Sequence, residues 1–479
     1  MKFNIKAFAA SLTGLCVLVK VADILFFDQL PIFGGHKQPD TNKNPTRQEI
    51  RKQLGGLPEA HFLSPKEKQA YIKDAFVFSW NGYRNYSWGY DENRPVSNSP
   101  RNTRNGWGAT IVDALDTLYI MGLKAEFKEA QDYVSLIDWG KVNNDEPVQL
   151  FETVIRYVGG LLSAYDLSHE KMFLEKAVEL VDRLLPAFDT PTGIPYQYVN
   201  FTSGEPVRNA VACLAEIGTI QIEFTRLSEL TGNWSYHELG QRVYGVFTES
   251  YKEKFGLFPH LIDVNTGKSV GDHVTWGGMG DSFYEYLIKQ LVVSQGKDKI
   301  KRDMVSQIIV GLKEGLLVHS PSDTKASFLA VLEGDKLGLQ MDELACFAPG
   351  TLLLAARTFP EEYGGLEKIA KRLMYGCYSA WNLTATGLAP EIFSWEISTD
   401  RYNGKKRPAV YPVHPTYILR PETLESLYYF YVFTQDPIYQ DMAWDIFNSL
   451  YTYCKSESGY TGVRRVDMPE RTWDDREER

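Results

Sequence analysis

The chain has 479 residues, a net charge of −10, 44% hydrophobic residues and 13% aromatic ones. The acidity argues against nucleic acid or an anionic membrane surface as a partner, and the hydrophobic share is ample for a large core. Five cysteines without a close pair offer no zinc-binding spacing.

Lys2 and Lys6 precede an apolar or small run over residues 7–19. That run matches the core of a signal peptide and is short for a membrane span. Extending it to Phe27 takes in Lys20 and Asp23, each costly at mid-bilayer. No small-x-small cleavage site follows, so residues 1–27 are read as a signal-anchor in preference to a cleaved signal peptide. Either way the rest of the chain enters the secretory pathway, in the endoplasmic reticulum or Golgi lumen. Residues 28–64, polar and punctuated by Gly and Pro, are read as a luminal stem. Residues 65–479 are read as one catalytic domain. The glycosylation acceptors Asn85, Asn200, Asn233 and Asn382 fit a luminal placement. An oxidising lumen also permits disulfides.

From Pro65 the apolar spacing becomes helical. Residues 66–78 predict a first helix, 83–105 a long loop, and 109–121 a second helix carrying Asp113 and Asp116. Helical hairpins follow to about residue 454, with small β-hairpins at 194–201 and 258–267. The stretch from Asp263 to Gly267 begins like a calcium loop but lacks the later acidic ligand, and reads as a turn.

Three acids open apolar, helix-length segments at even spacing: Glu152, then Glu216 after 64 residues and Asp281 after 65. Glu422 follows after 141, about twice that interval. Pro421 suits a first helical position and sets Glu422 in the first turn, with Glu425 on the same face. A single such acid is explained as a helix cap. Recurrence instead predicts an all-α barrel of helical hairpins whose ring gathers the acids at one mouth.

No serine-hydrolase elbow, zinc-protease helix or phosphate loop occurs. Carboxylates with abundant aromatics point to glycoside hydrolysis, in which one acid protonates the leaving oxygen and another activates water or attacks. Glu152 follows Leu150-Phe151, so partial desolvation is expected to hold its proton. Arg156 shares its face. Glu422, at a helix start beside Arg420, is expected to stay ionised as a base. Asp281 is either a cap or a second base, and Glu285 and Glu425 share the faces of Asp281 and Glu422.

The stretches around Asp113-Ala114-Leu115-Asp116, Leu150-Phe151-Glu152-Thr153-Val154-Ile155-Arg156, Gly280-Asp281-Ser282-Phe283-Tyr284-Glu285 and Leu419-Arg420-Pro421-Glu422-Thr423-Leu424-Glu425 resemble the class I α-1,2-mannosidases, glycoside hydrolase family 47. The likeness runs from about residue 74 to 466. It implies an (α/α)7 barrel with small rim β-hairpins, acting as a monomer on high-mannose N-glycans. It implies inverting release of α-1,2-linked mannose, with a calcium ion on two hydroxyls of the terminal sugar. Glu152 is then the general acid, with Glu422 and Asp281 the candidates for activating water. Arg156, Glu216, Glu285, Glu391, Arg420 and Glu425 line the sugar subsite, and Cys346 and Cys377 form a disulfide. Cys213 and Cys454 are expected in the core.

Three features depart from the family. Met279 stands where single-mannose endoplasmic-reticulum members have arginine, and Glu343 where many members have histidine. After Val463 the family continues with an inner helix and a barrel-plugging hairpin that carries the calcium-binding threonine. Here a charged run follows, so the last hairpin is expected to be incomplete. The threonine is then expected beyond residue 479, leaving no metal ligand in this chain. On that expectation the chain is a poor enzyme. The alternative function is a catalytically impaired glycan-binding or quality-control protein on the same barrel.

Overall fold

The computed structural model describes residues 46–250, 256–320, 324–395 and 410–476. The signal-anchor segment and residues 28–45 of the stem lie outside the described residues.

Residues 46–64 differ from the stem reading, because they pack on the barrel. Helix α1 (Arg47–Gln53) starts with a capping box in which Thr46 and Glu49 satisfy each other's backbone N–H groups. Arg51, 7% exposed in its side chain, pairs with Asp445. Leu57 N donates to Asn448 Oδ1, and Trp444 Nε1 donates to the Pro58 carbonyl, both at 2.9 Å. Beside these polar anchors Ile50, Leu54, Leu57, Ala60 and Leu63 pack against the core, a short apolar spacing that the neighbouring Gly and Pro residues conceal in the sequence. Helix α2 (Pro65–Tyr86) repeats the capping box with Ser64 and Glu67, and Pro65 sits at its first position. It outlasts its expected end at 78 because Trp80 and Tyr83 continue the buried face, at 3% and 1% exposure.

Six inner–outer helix pairs follow. The first inner segment splits at Ala114 (φ −89, ψ −5) into α3 (Ala109–Asp113) and α4 (Leu115–Ile120), backed by α5 (Lys124–Ser135). Helix α6 (150–168) opens in α geometry, widens to a π turn over Thr153–Val158 and returns to α over Gly159–Ser168. It pairs with α7 (Lys171–Leu184). Then come α8 (Leu214–Gly218) and α9 (Gln221–Thr231) with α10 (Ser235–Ser250), and α11 (Asp281–Val293) with α12 (Lys299–Gly311). Helix α13 (Ala348–Thr358) pairs with α14 (Leu366–Asn382), and α15 (Glu422–Thr434) with α16 (Ile438–Ser449). Successive inner helices touch one another in chain order, α4 to α6, α8 to α11, α11 to α13 and α13 to α15. With α2 beside the six pairs, the fold is the expected (α/α)7 barrel, its last hairpin incomplete among the described residues. Among the described residues no helix follows the π turn Leu450–Cys454. The extended stretch beyond it packs on α2, where Gly82 is so close to Ser458 that an added Cβ would stand 1.7 Å from its carbonyl oxygen. There Val463 and Val466 are wholly buried.

Short antiparallel strands line one rim. They include β1 (Val148–Gln149) with β2 (Tyr198–Asn200), β3 (Val211–Cys213) with β4 (Leu261–Asp263), and β5 (Gln340–Asp342) with β6 (Ile392–Trp395). The rim β structure is present, but the stretches expected to be hairpins each supply a single strand: β2 pairs with β1 and with Glu205–Val207, and β4 with β3. After β4, Asp263 Oδ1 accepts from the backbone of Asn265 and Thr266, which makes the turn read from sequence. Cys346 and Cys377 form the disulfide, tying the segment before α13 to the outer helix α14. Cys213 and Cys454 are free and buried.

Candidate active site

Strands β1, β3 and β5 each run directly into an inner segment, so the N-termini of the inner helices share the rim. Glu152, Glu216, Asp281 and Glu422 all stand in first helical turns. There the unpaired N–H groups and the helix dipole favour negative charge.

Glu152 lies between two guanidinium groups. Arg156 Nε donates to its Oε2 at 2.6 Å, and Arg104 Nη2 to its Oε1 at 3.0 Å. Arg156 also reaches Asp113 at 3.3 Å. Burial works against the Arg156 charge, but Glu152 and Asp113 outweigh it and hold that charge firmly. Two cations against one carboxyl favour its ionised form. The sequence reading, in which partial desolvation holds a proton on Glu152, took no account of these two arginines. Arg104 escaped the sequence reading because it lies in an irregular loop. Asp91 builds that loop: wholly buried, it accepts from the backbone N–H of Thr103, Arg104, Gly106, Gly108 and Ala109.

Glu216 accepts from Gln149 Nε2 at 2.8 Å and Gln197 Nε2 at 2.5 Å. Burial raises the Tyr198 hydroxyl, and the charges of Glu216 and Glu152 add to it, so these three groups are neighbours. Asp281 keeps some contact with water at the mouth. Even so, poor solvation pushes its carboxyl up to about 7, against the bond from Ser282 N and with help from the Glu422 and Glu285 charges. Arg420 Nε donates to Glu391 Oε1 at 2.6 Å. Burial raises Glu391, opposed by Arg420 and assisted by Glu422.

Glu285 and Glu425 meet through a residue the sequence reading passed over. Lys289, 2% exposed in its side chain, pairs with Glu285 one turn earlier and with Glu425 at 3.1 Å. Burial disfavours its charge, but the two carboxylates outweigh that and raise it well above the ordinary lysine value. Glu343, singled out in the sequence only for standing where many family members have histidine, has no exposed surface. It stands 62 residues after Asp281 and 79 before Glu422, filling the doubled interval in the repeat. That interval was a second signal for it.

Met279 and Leu419 precede Asp281 and Glu422 by two and three residues, and both have positive φ, 72° and 66°. Bulky side chains rarely adopt that region, and such strain gathers at functional sites. The Met279 carbonyl accepts from Ala215 N at 2.8 Å, which fixes the turn and leaves the side chain 46% exposed at the mouth. Gly277 has to be glycine, because a Cβ would stand 2.2 Å from Asp342 Oδ2.

A family model for glycosyl hydrolase family 47 matches residues 75–479. This chain belongs to that family. It is 40% identical over 413 residues to a mannosyl-oligosaccharide 1,2-alpha-mannosidase from Arabidopsis thaliana, covering 84% of this chain and 71% of that one. A mannosyl-oligosaccharide alpha-1,2-mannosidase from Coccidioides posadasii is 38% identical, with 86% and 83% coverage. The solved alpha-1,2-mannosidase from Trichoderma reesei superposes with a TM-score of 0.78 at 31% identity, covering 84% and 87%. A cellobiose 2-epimerase from Spirochaeta thermophila, 13% identical with a TM-score of 0.54, shares the fold alone.

As a family 47 member the protein is a glycoside hydrolase. Calcium finds no carboxylate cage at the mouth: among the described residues no group of three or more His, Cys, Asp or Glu is placed to hold an ion. Of the acids there, Glu152, Glu216, Glu285, Glu391 and Glu425 are instead paired with arginine, lysine or glutamine. Three of the glycosylation acceptors, Asn85, Asn233 and Asn382, are exposed. Asn200 is half-buried, and its Oδ1 accepts from Thr202 N and Ser203 N. No described helix is long and apolar enough to cross a membrane.

Proposed function

We propose that this protein hydrolyses terminal α-1,2-linked mannose from high-mannose N-glycans with inversion, its reacting groups drawn from the acids at the mouth. The observation that carries the reading is the shared placement of Asp281, Glu422 and Glu152 at inner-helix N-termini in a family 47 chain. Glu152 protonates the leaving oxygen, and Glu422, beside Asp281, takes the proton of the attacking water. Arg156, Glu216, Glu285, Glu391, Arg420 and Glu425 line the subsite and orient the sugar hydroxyls. The inner ends of α6, α11 and α15 exclude bulk water from one side of the sugar, which strengthens these contacts.

A second assignment is favoured by the Asp281 carboxyl, which poor solvation pushes up to about 7, so that part of it is protonated at neutral pH. Here Asp281 is the acid and Glu152, clamped by Arg104 and Arg156, stays a carboxylate. Acid and base are set apart by environment, and the environments here are opposite to those expected from sequence. Glu152→Gln decides the matter. If Glu152 is the acid, turnover of the glycan falls by about 10²–10⁴, while a mannoside with a good leaving group is spared. Equal losses on both substrates would move the acid's role to Asp281.

Calcium, as in the resemblance, is part of the reading, but no step is routed through it, and loss of activity in chelator tests it. We place the enzyme in the lumen of the endoplasmic reticulum or Golgi, anchored through residues 1–27, glycosylated and monomeric. Residues 65–479 form its catalytic domain, with 46–64 packed onto it. Proteolytic release of a soluble active fragment from membranes would support the anchor, and complete solubility without cleavage would refute it.

A further inference from the structure

We propose that Glu343 is a positioning residue for Glu422, the two carboxyls sharing one proton so that a single oriented carboxylate faces the water. The inference rests on the reading of Glu422 as the water-activating group. Three observations carry it. Glu343 has no exposed surface, yet its Oε1 is fully engaged, accepting from Thr423 N at 3.2 Å and Thr423 Oγ1 at 2.6 Å. Thr423 directly follows Glu422, so the helix turn that grips Glu343 is the one that carries Glu422. The Oε2 atoms of both residues are buried and have no hydrogen-bond partner among the described protein groups.

Two ionised carboxylates are acceptors only, and cannot hydrogen-bond without a proton between them. Burying two like charges together is also unfavourable, so one of the pair stays protonated. Burial and the Glu422 charge both place that proton on Glu343. The wall around the pair is set by several elements. Trp381 Nε1 on α14 donates to Thr423 Oγ1 at 3.0 Å, locking the hydroxyl that grips Glu343. Glu343 N donates to the Glu391 carbonyl at 3.0 Å, which ties the pair to the Glu391–Arg420 bridge. The charged and titratable groups facing the pair are Asp281 from α11, Glu391 and Arg420 from the rim, and Tyr417 before α15. Only Arg420 among them is a cation, so the second negative charge is not offset by the surroundings. Glu343 thus donates a hydrogen bond to Glu422 and fixes the orientation of its free oxygen. Electrons and atoms stay where they are, and the proton taken from water goes to Glu422.

The test compares Glu343→Gln, Glu343→Leu and Glu422→Gln with the unaltered full chain. Glu343→Gln supplies a permanent N–H donor and should keep kcat within about fivefold while shifting the acid limb of kcat/KM. Glu343→Leu removes the donor and should lower kcat at least tenfold with little change in KM. An infrared band of a protonated carboxyl, persisting to pH 9 in the unaltered protein and absent in Glu343→Gln, should accompany this. That readout holds even where activity is low. A role in packing alone would reduce stability in both Glu343 variants but leave the acid limb in place, and that result overturns the proposal. Full activity in Glu422→Gln would instead overturn the reading on which it rests.

Discussion

Replacing Lys289 with Met should destabilise the barrel more than any other single charge removal at the mouth. The ammonium is 2% exposed, and its partners Glu285 and Glu425 are 15% and 7% exposed in their side chains. Met matches the lysine stem in volume, so the change removes a charge and leaves the packing. Two carboxylates then face each other without a cation. Breaking a buried ion pair by removing one partner costs about 3–5 kcal/mol, and here both partners lie within reach of one ammonium. Urea unfolding at pH 7.5, followed by tryptophan fluorescence, should show a loss in that range. At pH 5 the loss should shrink, since a carboxyl freed of its cation can take up a proton. The triple variant Lys289→Met, Glu285→Gln, Glu425→Gln should recover most of the stability, because neutral groups replace the whole cluster. A loss below 1 kcal/mol, or a triple variant no better than the single one, would refute the reasoning.

Met279 offers no bidentate donor to sugar hydroxyls, and its exposed side chain leaves the mouth open. The protein should therefore remove several α-1,2-mannoses, and Met279→Arg should narrow the products of a nine-mannose digest. A digest by the unaltered protein that stops after one sugar would contradict this. The disulfide closes a loop of sequence separation 31, so Cys346→Ala with Cys377→Ala should lower stability by about 3–4 kcal/mol in the absence of reductant. A urea midpoint unchanged by the double replacement would count against it. Burial pushes Asp116, Glu223 and Asp281 each up to about 7. The unfolded chain loses these protons near pH 4 and the folded one near 7, so the folded state is favoured below pH 4 and that contribution falls away as pH rises to 7. Glu223→Gln should reduce the difference between urea midpoints at pH 5 and pH 8, and an equal difference in both proteins would show the group to be ordinary.

The acid-first helices were legible because two local facts coincide: a carboxylate suits a helix N-terminus, and hairpins of equal size return the chain to the same rim. That logic found Glu152, Glu216, Asp281 and Glu422 and the barrel that holds them. It gave Glu343 no place in the repeat, noting it only as a departure from the family, because the doubled interval was accepted without asking what stood inside it. Lys289 could not be found in this way, since its partner Glu425 is 136 residues distant and a lysine within an apolar run gives no periodic signal. Arg104 is placed by Asp91 through backbone N–H groups, an interaction that any sequence could supply and none advertises. The environment of Glu152 was misread for the same reason: its neighbours in sequence are apolar, but its neighbours in space are two arginines.

The packing of residues 46–64 bears on approach to the mouth. Inner helices start at the rim, so the outer helices that return antiparallel to them end there. Arg47 donates to Asn382, the last residue of the outer helix α14, and to the carbonyl of Thr384. The start of α1 therefore stands at the rim on which the acids of the inner helices lie. A bulky group attached to α1 should slow the hydrolysis of large glycoproteins while leaving free oligosaccharides unaffected, and equal slowing of both would show that this part of the rim does not border the approach.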